Sequence, residues 1–114
     1  MKKINIIKSS REINEVIKKQ NKIKSKYYYI YKGINKIDNY RFAICVSKKI
    51  GNAVRRNKLK RQIKDIIDKS KIMFSNNTDY VIILGRDINN IDFNSKKSYL
   101  LELLNKIEGE KDEK

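Results

Sequence analysis

Between residues 41 and 86 the sequence changes from the twofold periodicity of a β-strand to the 3.6-residue periodicity of a helix and back again. Residues 41–47 alternate bulky and small side chains, and Gly51-Asn52 ends this strand just before an amphipathic segment at residues 53–69. Residues 79–86 carry a continuous apolar run, which is typical of a strand buried on both faces. The order strand, helix, strand predicts a βαβ crossover with a parallel strand pair, and hence an α/β fold.

The rest of the chain adds elements on both sides of this unit. A serine pair followed by Glu12 and by apolar residues at helical spacing predicts a first helix from about residue 10 to residue 20. The tyrosine-rich residues 26–32 predict a strand, and residues 96–107 predict a final helix. We therefore expect a single domain over residues 1–114, an α+β sandwich of order α-β-β-α-β-α with room for one further short strand. Residues 109–114 are expected to form a charged tail.

Positive charge is concentrated in the first two thirds of the chain. The net charge of +15 divides into +9 for residues 1–36, +8 for residues 37–71 and −2 for residues 72–114. A mutational bias towards lysine codons could also raise the lysine content, but it would raise the positive charge along the whole chain, including residues 72–114. The distribution therefore indicates a surface that binds a polyanion.

The basic residues of segment 53–69 fall together on the predicted helix. Its apolar residues occupy one sector about 100° wide, which we expect to be buried: Leu59, Ile63, Ile66 and Ile67. The neighbouring sector is cationic, with one amide: Arg56, Asn57, Lys60, Arg61 and Lys64, with Arg55 and Lys58 further round. Arg56, Lys60 and Lys64 follow one another at steps of about 6 Å, close to the phosphate repeat of a nucleic-acid strand.

Other partners fit this cationic sector less well. Basic residues on an amphipathic helix often contact only solvent. Such solvent-exposed faces usually alternate positive and negative charges, but no carboxylate occurs between Arg41 and Lys64. A membrane-surface or calmodulin-target helix would carry large aromatics on its apolar side, and no apolar run reaches the roughly 20 residues that span a bilayer. Nucleic acid is therefore the predicted partner, and no membrane is expected.

The predicted strands at residues 26–32 and 41–47 sort their side chains by size. In the second strand one face is bulky, with Phe42, Ile44 and Val46, and the other is small, with Ala43, Cys45 and Ser47. In the first strand the alternation places Tyr27, Tyr29 and Tyr31 on one face, whereas Tyr28 is expected in the core. Small residues beside aromatic ones predict a groove that accepts an extended strand.

A long motif occupies residues 47–64, which read SKKIGNAVRRNKLKRQIK. It resembles the signature of the bacterial ribonuclease P protein family, whose arginine–asparagine–arginine helix docks on a catalytic RNA. The resemblance covers most of the chain, with the elements in the same order. A motif of this length is far more specific than a basic patch.

The resemblance implies a fold and an activity. The fold would be of the ribosomal protein S5 domain 2 type, with a left-handed βαβ crossover that departs from the usual right-handed rule. The protein would be the non-catalytic subunit of a ribonucleoprotein endoribonuclease that removes the 5′ leader of precursor tRNA. The RNA subunit would perform the hydrolysis with Mg²⁺ that the RNA mainly binds and that the protein alone does not. The protein would be cytoplasmic and monomeric, and would bind ribonuclease P RNA one to one.

The resemblance also assigns residues to two surfaces. Contacts to the RNA subunit would come from the signature: Lys48, Lys49, Asn52, Arg55, Arg56, Asn57, Lys58, Lys60, Arg61 and Lys64. The leader of precursor tRNA would lie in a cleft between the first helix and the sheet, lined by Ile13, Ile17, Tyr27, Tyr29, Tyr31, Ala43, Cys45, Ser47 and Arg86.

This chain departs from the family pattern at several of these positions. Lys58 replaces the second arginine of the motif and Lys64 stands where arginine is common, and lysine lacks the planar fork that binds phosphate with two hydrogen bonds. Ile13 and Ile17 occupy places where the family often has phenylalanine, and isoleucine cannot stack on a base. Stacking would then fall to the tyrosines of the strand.

Two other functions would also suit parts of the sequence. A protein-only nuclease needs clustered carboxylates or a histidine, but the chain has no histidine and its aspartates are scattered. A ribosomal or general RNA-binding protein would explain the charge equally well, so only the motif separates it from ribonuclease P. The single cysteine, Cys45, provides neither a disulfide framework nor a set of zinc ligands, which favours the cytoplasm.

Overall fold

The structure, a computed structural model, describes residues 1–109. Three helices and four strands follow one another along the chain: α1 (Ser10–Lys18), β1 (Lys22–Lys24), β2 (Tyr28–Ile34), β3 (Arg41–Cys45), α2 (Ala53–Lys69), β4 (Thr78–Leu84) and α3 (Phe93–Gly109). Short 3₁₀ turns lie at Lys3–Asn5 and Arg86–Asn90. The predicted order is confirmed, and β1 is the one further short strand.

The four strands form one sheet in the order β1-β2-β4-β3. β2 runs antiparallel to both β1 and β4, and β3 runs parallel to β4. Because α2 connects β3 to β4, the predicted βαβ crossover with a parallel pair is confirmed. The left hand of this crossover stays a prediction.

Helices cover both faces of the sheet, as the α+β sandwich of the ribosomal protein S5 domain 2 type requires. α2 and α3 pack on one face around the larger core, whose fully buried side chains include Tyr28, Phe42, Leu59, Ile63, Tyr80, Leu100 and Leu104. α1 packs on the other face around a smaller cluster formed by Ile7, Val16, Tyr31, Ala43 and Val81. Tyr28 lies in the larger core as predicted, where its hydroxyl donates a hydrogen bond to the carbonyl oxygen of Lys96 at 2.9 Å.

Side-chain caps start the two helices that matter for the site. The Ser9 hydroxyl accepts a hydrogen bond from the Glu12 amide at 3.3 Å, and the Asn52 side-chain oxygen accepts one from the Arg55 amide at 2.9 Å. α2 covers the predicted residues 53–69. α1 ends at Lys18, and Gln20 then adopts a left-handed conformation with φ of 58°.

The start of β2 differs from the prediction. The Ser25 hydroxyl accepts hydrogen bonds from the amides of Tyr27 and Tyr28, which makes a turn between β1 and β2. The strand therefore begins at Tyr28. Tyr27 lies before it and packs on the larger core, where its ring stacks on Tyr99 with centroids 5.0 Å apart. The prediction that Tyr27 shares a face with Tyr29 and Tyr31 is wrong, because the alternation does not extend into the turn.

The predicted charged tail lies almost wholly outside the described residues. Gly109 is the last residue of α3, and residues 110–114 are not described. Within residues 1–109, no helix is both long enough and apolar enough to cross a membrane.

Candidate nucleic-acid interface

α2 is fixed to the sheet by the apolar sector that the sequence predicts. Leu59 and Ile63 are fully buried, and Ile66 and Ile67 are 2% and 3% exposed. This packing fixes the rotation of the helix, so the cationic sector faces outward. Asn57, Lys58 and Arg61 are exposed, whereas Lys60 and Lys64 are half-buried at the border.

The cations of this surface have no carboxylate partners among residues 1–109. None of the eight Lys and Arg residues assigned to RNA-subunit binding lies within 4.0 Å of a carboxylate there: Lys48, Lys49, Arg55, Arg56, Lys58, Lys60, Arg61 and Lys64. The two aspartates of α2 pair elsewhere, Asp65 with Lys69 at 3.3 Å and Asp68 with the N-terminal amine at 2.5 Å. We call this surface, with Asn52 and Asn57, the α2 basic face.

Two arginines of the α2 basic face also make internal hydrogen bonds. Arg55 donates from Nε and Nη2 to Oδ1 of Asn89 at 2.9 and 2.8 Å, and Asn89 donates in turn to the carbonyl oxygen of Ile50 at 2.8 Å. Arg56 donates from Nη1 to the carbonyl oxygen of Gly51 at 3.1 Å. The bonds between Arg55 and Asn89 hold the start of α2 against the turn after β4. Sequence reasoning missed Asn89, because nothing in its local pattern links it to α2.

A groove lies on the opposite face of the sheet, beside α1. Three rows of paired residues cross β2, β4 and β3 there: Gly33, Asp79 and Arg41; then Tyr31, Val81 and Ala43; then Tyr29, Ile83 and Cys45. Val16 of α1 sits on the first row, since a Cβ atom on Gly33 would lie 3.4 Å from Val16 Cγ2. The second row is buried, whereas all three residues of the third row are half-buried. We call the third row the open row.

The residues assigned to leader binding do not all reach this groove. Ile13 and Ile17 of α1 are half-buried and pack on the smaller cluster, as do Tyr29 and Cys45. Ala43 and Tyr31 lie on the predicted face but are buried, with Tyr31 only 7% exposed. Of the three tyrosines proposed to stack on bases, Tyr29 alone lies in the open row.

Ser47 and Arg86 lie outside the paired rows. Ser47 is exposed and follows the end of β3, where its carbonyl oxygen accepts a hydrogen bond from the Ile50 amide at 3.1 Å. Arg86 is exposed in the turn after β4. Ser47 is therefore not part of the small face of the strand, which ends at Cys45.

Ile83 and the lysines of β1 were missed by sequence reasoning. Ile83 occupies the middle of the open row, although the apolar run around it predicts burial on both faces. Lys22 pairs with Tyr31 and Lys24 pairs with Tyr29, so β1 extends two of the rows with a cation each. Lys22, Ile23 and Lys24 do alternate as a strand would, but three residues are too few to assign a strand from the sequence.

The two surfaces meet near Cys45. Burial raises the pKa of the Cys45 thiol, and the positive charge of Lys60 partly opposes this shift. Lys60 belongs to the α2 basic face, and residues 46–52 connect the end of β3 directly to the start of α2. The open row therefore ends beside the α2 basic face.

Residues 1–109 contain no group of three or more Asp, Glu, Cys or His side chains placed to hold a metal ion. The expectation that the RNA subunit binds Mg²⁺ stays a prediction.

Comparison with known proteins gives the same family as the motif. The family model for Ribonuclease P matches residues 1–108. The ribonuclease P protein component of Mesoplasma florum is 41% identical over 100 residues, which cover 85% of this chain and 91% of that protein. The component of Thermotoga petrophila is 34% identical over 103 residues, covering 87% and 88%. The solved RNase P protein of Staphylococcus aureus superposes with a TM-score of 0.78 at 27% identity, covering 89% of this chain and 93% of that one. This chain therefore belongs to the bacterial ribonuclease P protein family.

Proposed function

We propose that this protein binds the RNA subunit of ribonuclease P through the α2 basic face and holds the 5′ leader of precursor tRNA in the groove beside α1. The observation that carries the proposal is the unneutralised charge of the α2 basic face. Eight cations without a carboxylate partner in residues 1–109 repel one another unless a polyanion binds. Family membership makes ribonuclease P RNA that polyanion.

The groove suits a single extended strand of RNA. Its open row combines an aromatic ring, Tyr29, with the smaller Cys45, and Ile13 and Ile17 of α1 pack on the same cluster. A base stacked on Tyr29 would contribute about 1–3 kcal/mol, and stacking of this kind tolerates different sequences. This tolerance suits a protein that must accept many different leaders.

The part played by the protein is binding and positioning. The RNA subunit performs the magnesium-dependent hydrolysis and holds the ions, and the protein adds affinity for precursor tRNA over mature tRNA. Because the open row ends beside the α2 basic face, the leader and the RNA subunit meet on adjacent parts of one protein. One monomer per RNA subunit provides both contacts.

Substitutions on the two surfaces separate the two contacts. Arg56→Ala and Arg61→Ala should weaken binding to ribonuclease P RNA and lower the slope of log K against log salt by about 1 each. Arg61 is exposed and its side chain makes no hydrogen bond within residues 1–109, so its replacement by alanine should remove charge without disturbing the fold. Lys97→Ala, which removes an exposed cation from α3, is the matched control.

Tyr29→Ala should chiefly weaken binding of leader-bearing substrate to the holoenzyme, by about 5- to 150-fold, with little effect on binding to the RNA subunit. Tyr29 is preferred to Tyr31 for this test, because Tyr31→Ala would also open a cavity under α1. If Arg61→Ala and Tyr29→Ala weaken RNA-subunit binding and substrate binding in the same proportion, the assignment of the two contacts to two separate surfaces is wrong.

A further inference from the structure

The edge strand β1 places lysines at the outer end of the groove. Lys24 pairs with Tyr29, so the open row continues as Cys45, Ile83, Tyr29 and Lys24 across all four strands. Directly paired residues point to the same side of an antiparallel pair, so Lys22 and Lys24 point to the groove face. Ile23 between them packs on the larger core, as this alternation requires.

These two lysines carry charge that no carboxylate neutralises within residues 1–109. Neither Lys22 nor Lys24 is within 4.0 Å of an acidic group there, whereas the nearby Lys26 pairs with Asp87 at 4.0 Å. Lys22 Nζ lies 5.5 Å from the centre of the Tyr31 ring, which places the ammonium group on the groove side of the sheet. Both lysines are exposed.

We propose that Lys22 and Lys24 bind phosphates of the precursor tRNA leader where it leaves the groove over the β1 edge. This inference rests on the proposed function of the groove. The leader enters beside the α2 basic face at Cys45, crosses Ile83 and Tyr29, and reaches the β1 lysines last. Three strand spacings of about 4.8 Å separate the two ends of this path, or about 14 Å.

The position of β1 predicts which nucleotides the lysines contact. Cleavage takes place on the RNA subunit, which docks at the Cys45 end of the open row. The nucleotide at Lys24 is therefore further from the cleavage site than the nucleotide at Cys45. A leader of one nucleotide ends before it reaches β1, whereas a leader of ten nucleotides passes over it.

Edge protection is the competing explanation for these lysines. Exposed edge strands often carry lysine because its charge prevents two sheets from pairing edge to edge. If the lysines only protected the edge, replacing them would change self-association. Any effect of the replacement on substrate binding would then be the same for short and long leaders. Leader length therefore separates the two explanations.

The test measures binding of precursor tRNAs with one-nucleotide and ten-nucleotide leaders to the reconstituted holoenzyme. Lys24→Gln and Lys22→Gln should each weaken binding of the long-leader substrate about 2- to 5-fold, as for an exposed ion pair, and lower its salt slope by about 1. Binding of the short-leader substrate should not change. Lys97→Gln removes the same charge from α3 and should affect neither substrate.

Several outcomes would overturn the inference. Equal losses for both leader lengths, or an equal loss in Lys97→Gln, would mean that only net charge matters. If Tyr29→Ala weakens long-leader binding but the β1 variants do not, the groove binds the leader and the lysines only protect the edge. If the unmodified holoenzyme binds both substrates equally, the proposed function of the groove fails and the inference fails with it. Circular dichroism and sedimentation of each variant establish that it is folded and monomeric.

Discussion

At the scale of single residues, Cys45 is the most direct reporter on the groove. It is half-buried in the open row, and it is the single cysteine of the chain, so a thiol reagent labels one known position. Any ligand that lies along the open row must cover it. Its reactivity therefore measures both the local environment and the occupancy of the groove.

The pH dependence of Cys45 alkylation should show that the pKa of the thiol is raised in the folded protein. Burial raises the pKa of Cys45, so at a given pH the folded protein has less thiolate than the unfolded chain, and the thiolate is the reactive form. We expect the alkylation rate with iodoacetamide to reach its half-maximum at a higher pH in the native protein than in urea. A native midpoint at or below the unfolded one would contradict the placement of Cys45. Cys45→Ser serves as the unlabelled control.

Some residue roles could be predicted from the sequence and others could not. The split into a bulky and a small face is confirmed for residues 42–46 by the two clusters, because twofold alternation is a local property, whereas Ser47 lies beyond the end of the strand. The position of Tyr27 could not be predicted, because the amides of Tyr27 and Tyr28 donate hydrogen bonds to the Ser25 hydroxyl, and the strand begins at Tyr28, two residues later than the tyrosine-rich pattern predicts. The half-burial of Ile83 depends on how far α1 extends over the sheet. The local sequence around Ile83 does not determine that extent.

At the scale of elements, an ionic bridge fastens α1 to the first row of the sheet. Arg41 of β3 donates two hydrogen bonds to Asp79 of β4, at 2.9 and 2.8 Å, and two to Glu12 of α1, at 2.9 and 3.5 Å. Asp79 is buried with a side chain 5% exposed, whereas the side chain of Glu12 is 47% exposed. The two halves of the bridge should therefore contribute very differently to stability.

Substitutions in the bridge should separate its buried and exposed halves. Arg41→Leu leaves a buried carboxylate without its cation and should lower the free energy of unfolding by about 3–5 kcal/mol. Glu12→Gln removes only the exposed pair and should cost less than about 1 kcal/mol. Urea denaturation followed by circular dichroism measures both. Equal losses would show that the burial of Asp79 does not determine the strength of the bridge.

The elements themselves were largely predictable from the sequence. α2 has the predicted bounds because a break at Gly51-Asn52 and a long amphipathic pattern define it locally. The three-residue β1 could not be assigned, since a run that short becomes a strand only by pairing with β2. The bridge through Arg41 also depends on contacts between residues distant in sequence.

At the scale of the whole molecule, the excess of positive charge couples stability to anions. The net charge is +15, and the cations of α2 are close enough to perturb a neighbour. Burial, with further contributions from Arg55 and Lys58, lowers the pKa of the Lys96 amino group. An anion bound at the α2 basic face would relieve this repulsion in the folded state alone.

Sulfate should therefore stabilise the protein more than chloride at equal ionic strength. At a concentration ten times its dissociation constant, a bound sulfate would raise the free energy of unfolding by about 1.4 kcal/mol. Sulfate also stabilises proteins generally by exclusion from their surfaces. A triple Gln variant of Lys58, Arg61 and Lys64 controls for this, because it should lose the specific part of the effect. An unchanged sulfate response in that variant would contradict a site on α2.

Reconstitution with a cognate ribonuclease P RNA tests the central claim most directly. The measurement is the rate of precursor tRNA cleavage at low magnesium, with RNA alone, protein alone and both together. We predict that the protein stimulates cleavage by the RNA at low magnesium. Its cations would neutralise phosphates that magnesium ions neutralise when magnesium is abundant. The protein alone should not cleave. An RNA-only rate that the protein leaves unchanged, or cleavage by the protein without RNA, would contradict the account.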